Sequence, residues 1–333
     1  MKAAVCRQYG PPEAVRVEEL PSPVLAPGRL RVRVGAAAVN FPDVLLVADQ
    51  YQVNVPVPFV PGSEFAGVVT EVAPDTVDFA VGDRVTGTGM FGAFAEEVCV
   101  GSAALAKIPD SVDDRTAAAF GVAHRTAYHT LRSVAQVRPG DDVIVLGAGG
   151  GVGLAAVQLG VTLGARVTAV ASSDEKLCVA ARYGASVLVN HATGPVRTTL
   201  REALPAGAHA VIDPVGGELS EPALRSLRRG GRFVTVGYAS GSIPQIPLNL
   251  VLVKGIQIVG FQFQDIPPDE FARNESELRE LLATGGVKPH IGAVYPLAET
   301  AAALRHVADG QAIGKVIIDV SYAPPSALGS FGG

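Results

Sequence analysis

From Asp141 onward, short apolar runs recur along the chain: Val143 to Leu146, Val167 to Val170, Val187 to Val189, Ala210 to Ile212, Phe233 to Val236 and Ile256 to Val259. Helix-length segments separate most of them. Strands buried on both faces read as nearly continuous apolar runs, and their alternation with helices predicts a parallel, doubly wound sheet of class α/β. Residues 1–123 have another rhythm. Val-rich alternating runs such as LRVRVGAAAV, AGVVTEVA and AEEVCV are broken by Pro-Gly and Gly-Asp turn signals, which predicts a β-rich unit. Past residue 262 come a Glu- and Leu-rich helix (Glu275 to Ala283), a strand-like HIGAVYPL, another helix and a last strand KVIIDV. This segment is expected to return to the first unit, giving domains of 1–123 with 262–333 and of 124–261. The closing SYAPPSALGSFGG is small, polar and rich in Pro and Gly, so a loosely ordered tail is expected.

Composition narrows the function classes. Of 333 residues, 48% are hydrophobic and 18% charged, with 38 glycines, the balance of a large core threaded by tight turns. A net charge of −5 with scattered Lys and Arg offers no basic field for a phosphate backbone, so nucleic acid is not an expected partner. No apolar run reaches the roughly 18 residues of a membrane span, and no signal-peptide core precedes the first charges. A cytoplasmic address follows. Cys6, Cys99 and Cys178 are far apart and odd in number, forming neither a disulfide framework nor a metal knuckle.

The strand DVIVLG runs into GAGGGVG and then into LAAVQLG, placing Ala148-x-Gly150-x-x-Gly153 at a strand-to-helix turn. A preceding strand, a following helix and a further strand are the setting in which such a loop holds a dinucleotide. Small residues let the backbone approach the pyrophosphate, and the helix N-terminus favours an anion. An acidic residue about 20 positions on would accept from a ribose hydroxyl of NAD. That place holds Ser172 and Ser173, with Lys176 one turn later. Hydroxyls and a lysine suit a 2′-phosphate, hence NADPH. Two alternatives stand beside this: Ser172-x-x-Glu175 matches a capping box, and Asp174 is close enough to serve NADH.

The six histidines form no H-E-x-x-H pair and lie near no cysteine, so no zinc site is visible. No G-x-S-x-G elbow is present. His124 and His129 fit a hydrogen-bonded structural role, with catalysis as the alternative.

The ordered motifs resemble the medium-chain dehydrogenase/reductase superfamily, in its zinc-free quinone oxidoreductase branch that includes zeta-crystallin. The similarity runs from KAAVCRQYGPPEAVRVEELP through PGSEFAGVV, GDRV, AEEVCV, TAYHTL, GAGGGVGLAAVQLG, VIDPVGG and GGRFVTVG to IGKVII. Alcohol dehydrogenases of the superfamily bind catalytic zinc through a cysteine after the first long strand and a histidine in G-H-E. Here these neighbourhoods read Val39-Asn40-Phe41-Pro42-Asp43 and Gly62-Ser63-Glu64, and the structural-zinc lobe is missing from GDRVTGTGMFGAFAEEV. The resemblance implies a GroES-like β-rich catalytic domain with a Rossmann domain, and NADPH in the cleft between lobes. It places Asn40, Tyr51 and Thr126 around nicotinamide and substrate, and Gly150, Gly151 and Val152 under the pyrophosphate. Ser172, Ser173, Lys176 and His191 fall at the adenosine phosphate, Gly237 and Phe261 at the nicotinamide. Leu45 stands where several members carry a second tyrosine. Each catalytic candidate has a plainer reading: Asn40-Phe41-Pro42 as a turn, Tyr51 as a half-buried aromatic, Thr126 as a helix cap.

The implied activity is hydride transfer to a quinone or conjugated carbonyl, with the developing oxyanion held by neutral donors such as Asn40, Tyr51 or Thr126 and no metal. A reductase of enoyl thioesters, a nucleotide-bound structural or sensing protein, and an alcohol dehydrogenase with unusual ligands are the alternatives. The family's dimer pairs last Rossmann strands, and KGIQIVGFQF would be that edge in a homodimer.

Overall fold

The computed structural model describes residues 1–321; the tail expectation, which covers Ser321 to Gly333, falls almost wholly outside them. Two compact units are present, one of residues 1–121 with the segment from Ile291 onward and one of residues 122–290.

The first unit is β-rich. A two-stranded sheet of β1 (Lys2–Cys6) and β2 (Val15–Glu19) accompanies a seven-stranded one. The latter is built from β3 (Arg29–Val39), β4 (Glu64–Val72), β5 (Arg84–Thr88), β6 (Glu97–Gly101), β7 (Leu105–Lys107), β14 (Ile291–Pro296) and β15 (Lys315–Asp319). Strand β15 pairs antiparallel with β3 from Val316 opposite Val39 to Asp319 opposite Ala36, so the last strand returns to the first unit as expected. Alternate positions of β3 and β4 bury Leu30, Val32, Val34, Phe65 and Val69, and helices α1 (Phe41–Val47) and α9 (Thr300–Ala308) cover that core with Val44, Val47 and Leu304. Burial of one face fixes the strand register, because a slip of one residue would turn every apolar side chain outward.

The second unit holds six parallel strands in the order β10-β9-β8-β11-β12-β13. They are β8 (Asp142–Leu146), β9 (Arg166–Ala171), β10 (Val187–Asn190), β11 (Ala208–Asp213), β12 (Leu227–Thr235) and β13 (Gln257–Gly260), matching all six expected runs to within a few residues. Helices α3 (Gly151–Thr162), α4 (Asp174–Arg182), α5 (Val196–Ala203), α6 (Ser220–Arg225) and α7 (Asn249–Lys254) lie in the connections. Going from β8 to β10 the chain moves to one side, then returns past β8 to β11. Strand order therefore reverses between β8 and β11, the place where open α/β sheets bind ligands beyond the carboxyl ends of their strands.

The boundary near residue 262 differs from the expected one. Helix α8 (Pro268–Ala283) is part of the second unit, because polar groups on it are tied to the last turns of α2 (Asp114–His129). His129, wholly buried, stacks on Phe271 with ring centroids 4.7 Å apart and shares a 2.8 Å hydrogen bond with Glu275. Arg125 bonds the same carboxylate at 2.9 Å, and Asn274 donates to Ser133 at 2.9 Å. Burial opposes ionisation of Glu275, but His129 and Arg125 outweigh it and hold its pKa down. The helix-period pattern of this segment carried no sign of which unit it would join. His129 thus has the structural role that its sequence context favoured.

Candidate active site

The second unit's site starts at the carboxyl end of β8. Gly147 has φ +61°, a left-handed turn that glycine adopts without strain, and its missing Cβ would come within 2.6 Å of Val215. A Cβ on Gly153 would lie 2.0 Å from the Gly147 carbonyl oxygen, so only glycine lets α3 start this close to the strand. The N-cap of α3 is Gly150, whose lack of a side chain leaves the N–H groups of the first turn, at Gly151 and Val152, without a capping oxygen. A 12-residue helix presenting open N–H groups to a glycine turn is the arrangement a diphosphate needs.

Polar side chains gather at the ends of the next two strands. Lys176 Nζ donates to Ser172 Oγ at 3.1 Å, and its aliphatic stem covers Gly149 so closely that a Cβ there would meet it at 2.6 Å. His191, which follows β10, donates its backbone N–H to the Ala171 carbonyl. Burial, helped by the nearby Lys176 charge, lowers its pKa and keeps the imidazole neutral at neutral pH. Burial also lowers the pKa of Lys176. Both shifts have burial of a basic group as their first cause. Ser173, not Ser172, caps α4 by accepting the Lys176 N–H at 3.3 Å, which leaves the exposed Ser172 hydroxyl outside the cap. Asp174 accepts a 2.7 Å bond from Asn190. The NADH alternative thus loses one of its acceptor oxygens to a neighbour.

Gly237 and Phe261 follow β12 and β13. The Gly237 N–H reaches the Asp213 carbonyl at 3.3 Å, and the Phe261 N–H donates to Thr235 at 3.2 Å. Thr126 is buried inside α2 rather than at its start, which removes the capping explanation. Asp213, passed over in the sequence, is wholly buried at the end of β11. Its carboxylate accepts from the Val215 and Gly216 N–H groups at 2.9 and 2.8 Å and from Ser220 at 2.5 Å, fixing the loop that meets Gly147.

In the first unit, Asn40 caps α1, and Asp43 Oδ2 accepts the Asn40 backbone N–H at 2.7 Å. The turn reading of Asn40-Phe41-Pro42 is correct as far as it goes, but the side chain does more. Its Oδ1 accepts from Lys315 Nζ at 2.5 Å, and its Nδ2 donates to Ser63 Oγ and Glu64 Oε2, both at 3.2 Å. Lys315 also bonds Glu64 at 3.1 Å, with the two side chains 3% and 0% exposed. Tyr51 packs half-buried against the apolar cluster of this unit. Glu64, Lys315 and Asp43 were quoted in motifs but not read as one charged group. They lie far apart in sequence, and a lysine opening a final strand looks like an ordinary polar edge.

A GroES-like β unit joined to a Rossmann unit with a glycine turn at its switch point defines the class of medium-chain oxidoreductases. Family profiles for the alcohol dehydrogenase GroES-like domain and the zinc-binding dehydrogenase match residues 26–110 and 151–281. Quinone oxidoreductase-like protein 2 of Bos taurus is 37% identical over 326 residues, covering 96% of this chain and 92% of that protein. Among solved structures, an NAD-dependent alcohol dehydrogenase superposes with TM-score 0.88 at 32% identity, covering 96% of this chain and 100% of that one. A mycobacterial protein solved in complex with NADPH does so with TM-score 0.88 at 30% identity, covering 96% and 99%. The chain belongs to the medium-chain dehydrogenase/reductase superfamily, in its quinone oxidoreductase branch. Among the described residues no helix is long and apolar enough to cross a membrane.

Proposed function

We propose that this protein is a cytoplasmic, zinc-independent, NADPH-dependent reductase of quinones or conjugated carbonyls that works as a homodimer. The observation that carries the reading is the grouping of Ser172, Lys176 and His191 around the end of β9, with Asp174 engaged by Asn190. Two basic side chains and a hydroxyl suit a phosphate on the adenosine ribose. Gly150, Gly151 and Val152 hold the diphosphate, Ser173 sets the start of α4, and Gly237 and Phe261 line the nicotinamide. When bound, NADPH supplies hydride. Of the groups first assigned to the acceptor, Tyr51 in the first unit and Thr126 in the second are the donors, because both amide hydrogens of Asn40 go to Ser63 and Glu64. Neutral donors stabilise charge as it develops on the acceptor oxygen.

Zinc independence is supported by Lys315. Its ammonium lies 2.5 Å from Asn40 Oδ1, so a divalent cation at the neighbourhood where alcohol dehydrogenases hold zinc would face a fixed positive charge. Dimerisation is supported by the edge strand β13. Ile258 is 41% exposed there, and Leu252 and Val253 on the preceding helix are 82% and 69% exposed, an apolar edge that self-pairing would bury.

The test is initial-rate oxidation of NADPH and NADH at saturating ortho-quinone and, in parallel, an enoyl thioester, with and without chelator. Quinone-dependent, chelator-insensitive consumption of NADPH is the expected result. Preference for NADH overturns the cofactor assignment, and turnover of the thioester alone makes that the substrate class. Static light scattering should give twice the chain mass.

A further inference from the structure

Between β13 and α8 of the second unit the chain crosses residues 261–267 with little structure of its own. The Phe261 N–H donates to Thr235, and a single 3₁₀ turn spans Phe263–Asp265. Ile266 is buried, whereas Gln262, Gln264 and Asp265 are exposed. A segment with so few buried contacts opens easily unless something else ties it down. Phe263 has the contacts to do so. Its ring, 36% exposed, meets Phe261 edge to face with centroids 4.9 Å apart, His129 at 5.6 Å and Phe271 at 6.3 Å, within the range where aromatic edges and faces attract. The Arg125 guanidinium lies 5.3 Å from the same ring centroid, close enough for a cation–π attraction.

The partners of Phe263 are themselves fixed. An ionised carboxylate only accepts, so the 2.8 Å bond between His129 Nε2 and Glu275 Oε1 puts the imidazole hydrogen on Nε2. His129 Nδ1 is then free to accept from Asn274 Nδ2 at 3.3 Å, and the second Asn274 amide hydrogen goes to Ser133 Oγ. Both imidazole nitrogens are engaged, and the plane of the ring is set. Arg125 Nε donates to the same Glu275 oxygen, which holds the guanidinium over Phe263 and 5.8 Å from the Phe271 centroid. Phe263 thus joins a loosely built segment to a rigid corner made by the last turns of α2 and the first turns of α8.

Strand order says what the segment serves. The glycine turn follows β8, and Ser172, Lys176 and His191 follow β9 and β10 on one side of it. A dinucleotide with its diphosphate at the switch point and its adenosine on that side extends its other half toward the carboxyl ends of β11, β12 and β13, and Phe261 follows β13. We propose that Phe263 is a positioning residue for the nicotinamide, holding Phe261 and the adjoining backbone in one conformation through its contacts with Arg125, His129 and Phe271. The proposal rests on the reductase reading above, in which Phe261 lines the nicotinamide. A loop ordered in advance spares binding the entropy of ordering it. Without Phe263 that cost falls on the nicotinamide half alone, because the adenosine groups stand at other strand ends.

The experiment compares wild type, F263A and F263Y by calorimetric titration with NADPH and with adenosine 2′,5′-bisphosphate, which has the adenosine phosphates and no nicotinamide. The ring is already 36% exposed, so F263A should fold. We expect F263A to bind NADPH about 10-fold more weakly, the upper end of what one aromatic pair contributes, with affinity for the bisphosphate unchanged. F263Y keeps the aromatic face and should restore NADPH affinity. The anisotropy of bound NADPH fluorescence should decay faster in F263A, a direct reading of nanosecond motion of the ring. In the cofactor-free protein the Phe261 amide should exchange its hydrogen faster in F263A and at the wild-type rate in F263Y. Wild-type NADPH affinity in F263A overturns the proposal and leaves the reductase reading standing, as does equal weakening of both ligands, which would make Phe263 an ordinary part of the fold. A wild type that binds neither ligand overturns the cofactor reading instead, and Phe261 exchange that F263A leaves unmoved overturns the positioning role even then.

Discussion

The two units build their polar sites by opposite means. In the second, the elements are local: a glycine turn, a helix start, and serines and a lysine within one turn of each other, half-exposed or exposed. In the first, Asn40, Asp43, Glu64 and Lys315 come from distant parts of the chain and are buried together. A site made of backbone depends on what cannot be added to it. A site made of buried charge depends on what cannot be taken away. Substitutions should separate the two.

The largest effect is expected at Lys315. Lys315→Met removes the buried cation bonded to the Glu64 carboxylate, and loss of one partner of a buried ion pair costs about 3–5 kcal/mol. Chemical denaturation should show that loss, and most of it should return when Glu64→Leu is added, since replacing both charges with apolar groups is often nearly neutral. Full stability in the single variant would mean that the pair is not a core element. Next comes Gly153→Ala, whose methyl meets the Gly147 carbonyl at 2.0 Å. Overpacking of about 1–3 kcal/mol and loss of most NADPH affinity are expected by denaturation and calorimetry, while the first unit's Asn40 contacts stay intact.

Lys176→Ala should be milder for stability and selective in function. A hydrogen bond to a charged group contributes about 1.5–3 kcal/mol, so NADPH should bind at least about 10-fold more weakly while NADH is nearly unaffected. Equal weakening of both cofactors would remove the phosphate assignment. For His191, whose pKa burial lowers in the free protein, NADPH affinity should rise as pH falls and the imidazole takes up a proton beside the phosphate. The smallest effect is the pH dependence of stability contributed by Asp43. Its folded pKa is raised from the ordinary 3.8 to about 7, so the folded state binds more protons in that window. Its contribution is fully present below the lower value and is lost as pH rises through the upper one. Asp43→Asn should flatten that slope in melts run from acid to neutral pH.

Much of the second unit was legible in the sequence because its signals are local. Six apolar runs and one Gly-rich turn state the strand order's ingredients, and the serines and lysine sit at a predictable distance from the loop. The sequence misplaced Thr126 only in its plainer reading as a cap, and it left open which serine caps α4; geometry picks Ser173. Helix α8 was recognised as a helix but assigned to the other unit, because the contact that decides it, His129 on Phe271 and Glu275, joins residues about 145 positions apart. Asp213 escaped notice for a related reason: its acidity matters only once three donors converge on it.

The sequence by itself determined the parallel sheet, the β-rich first unit with its returning last strand, and the glycine turn at a helix start, since hydrophobic period and backbone freedom are properties of neighbouring residues. Tertiary structure alone decided that Lys315, Glu64, Asn40, Ser63 and Asp43 form one group and that Asn40 has no free hydrogen. Register between β15, β3 and β4 is set by burial of their apolar faces, and that burial brings these polar groups together as hydrogen-bond and ion-pair partners.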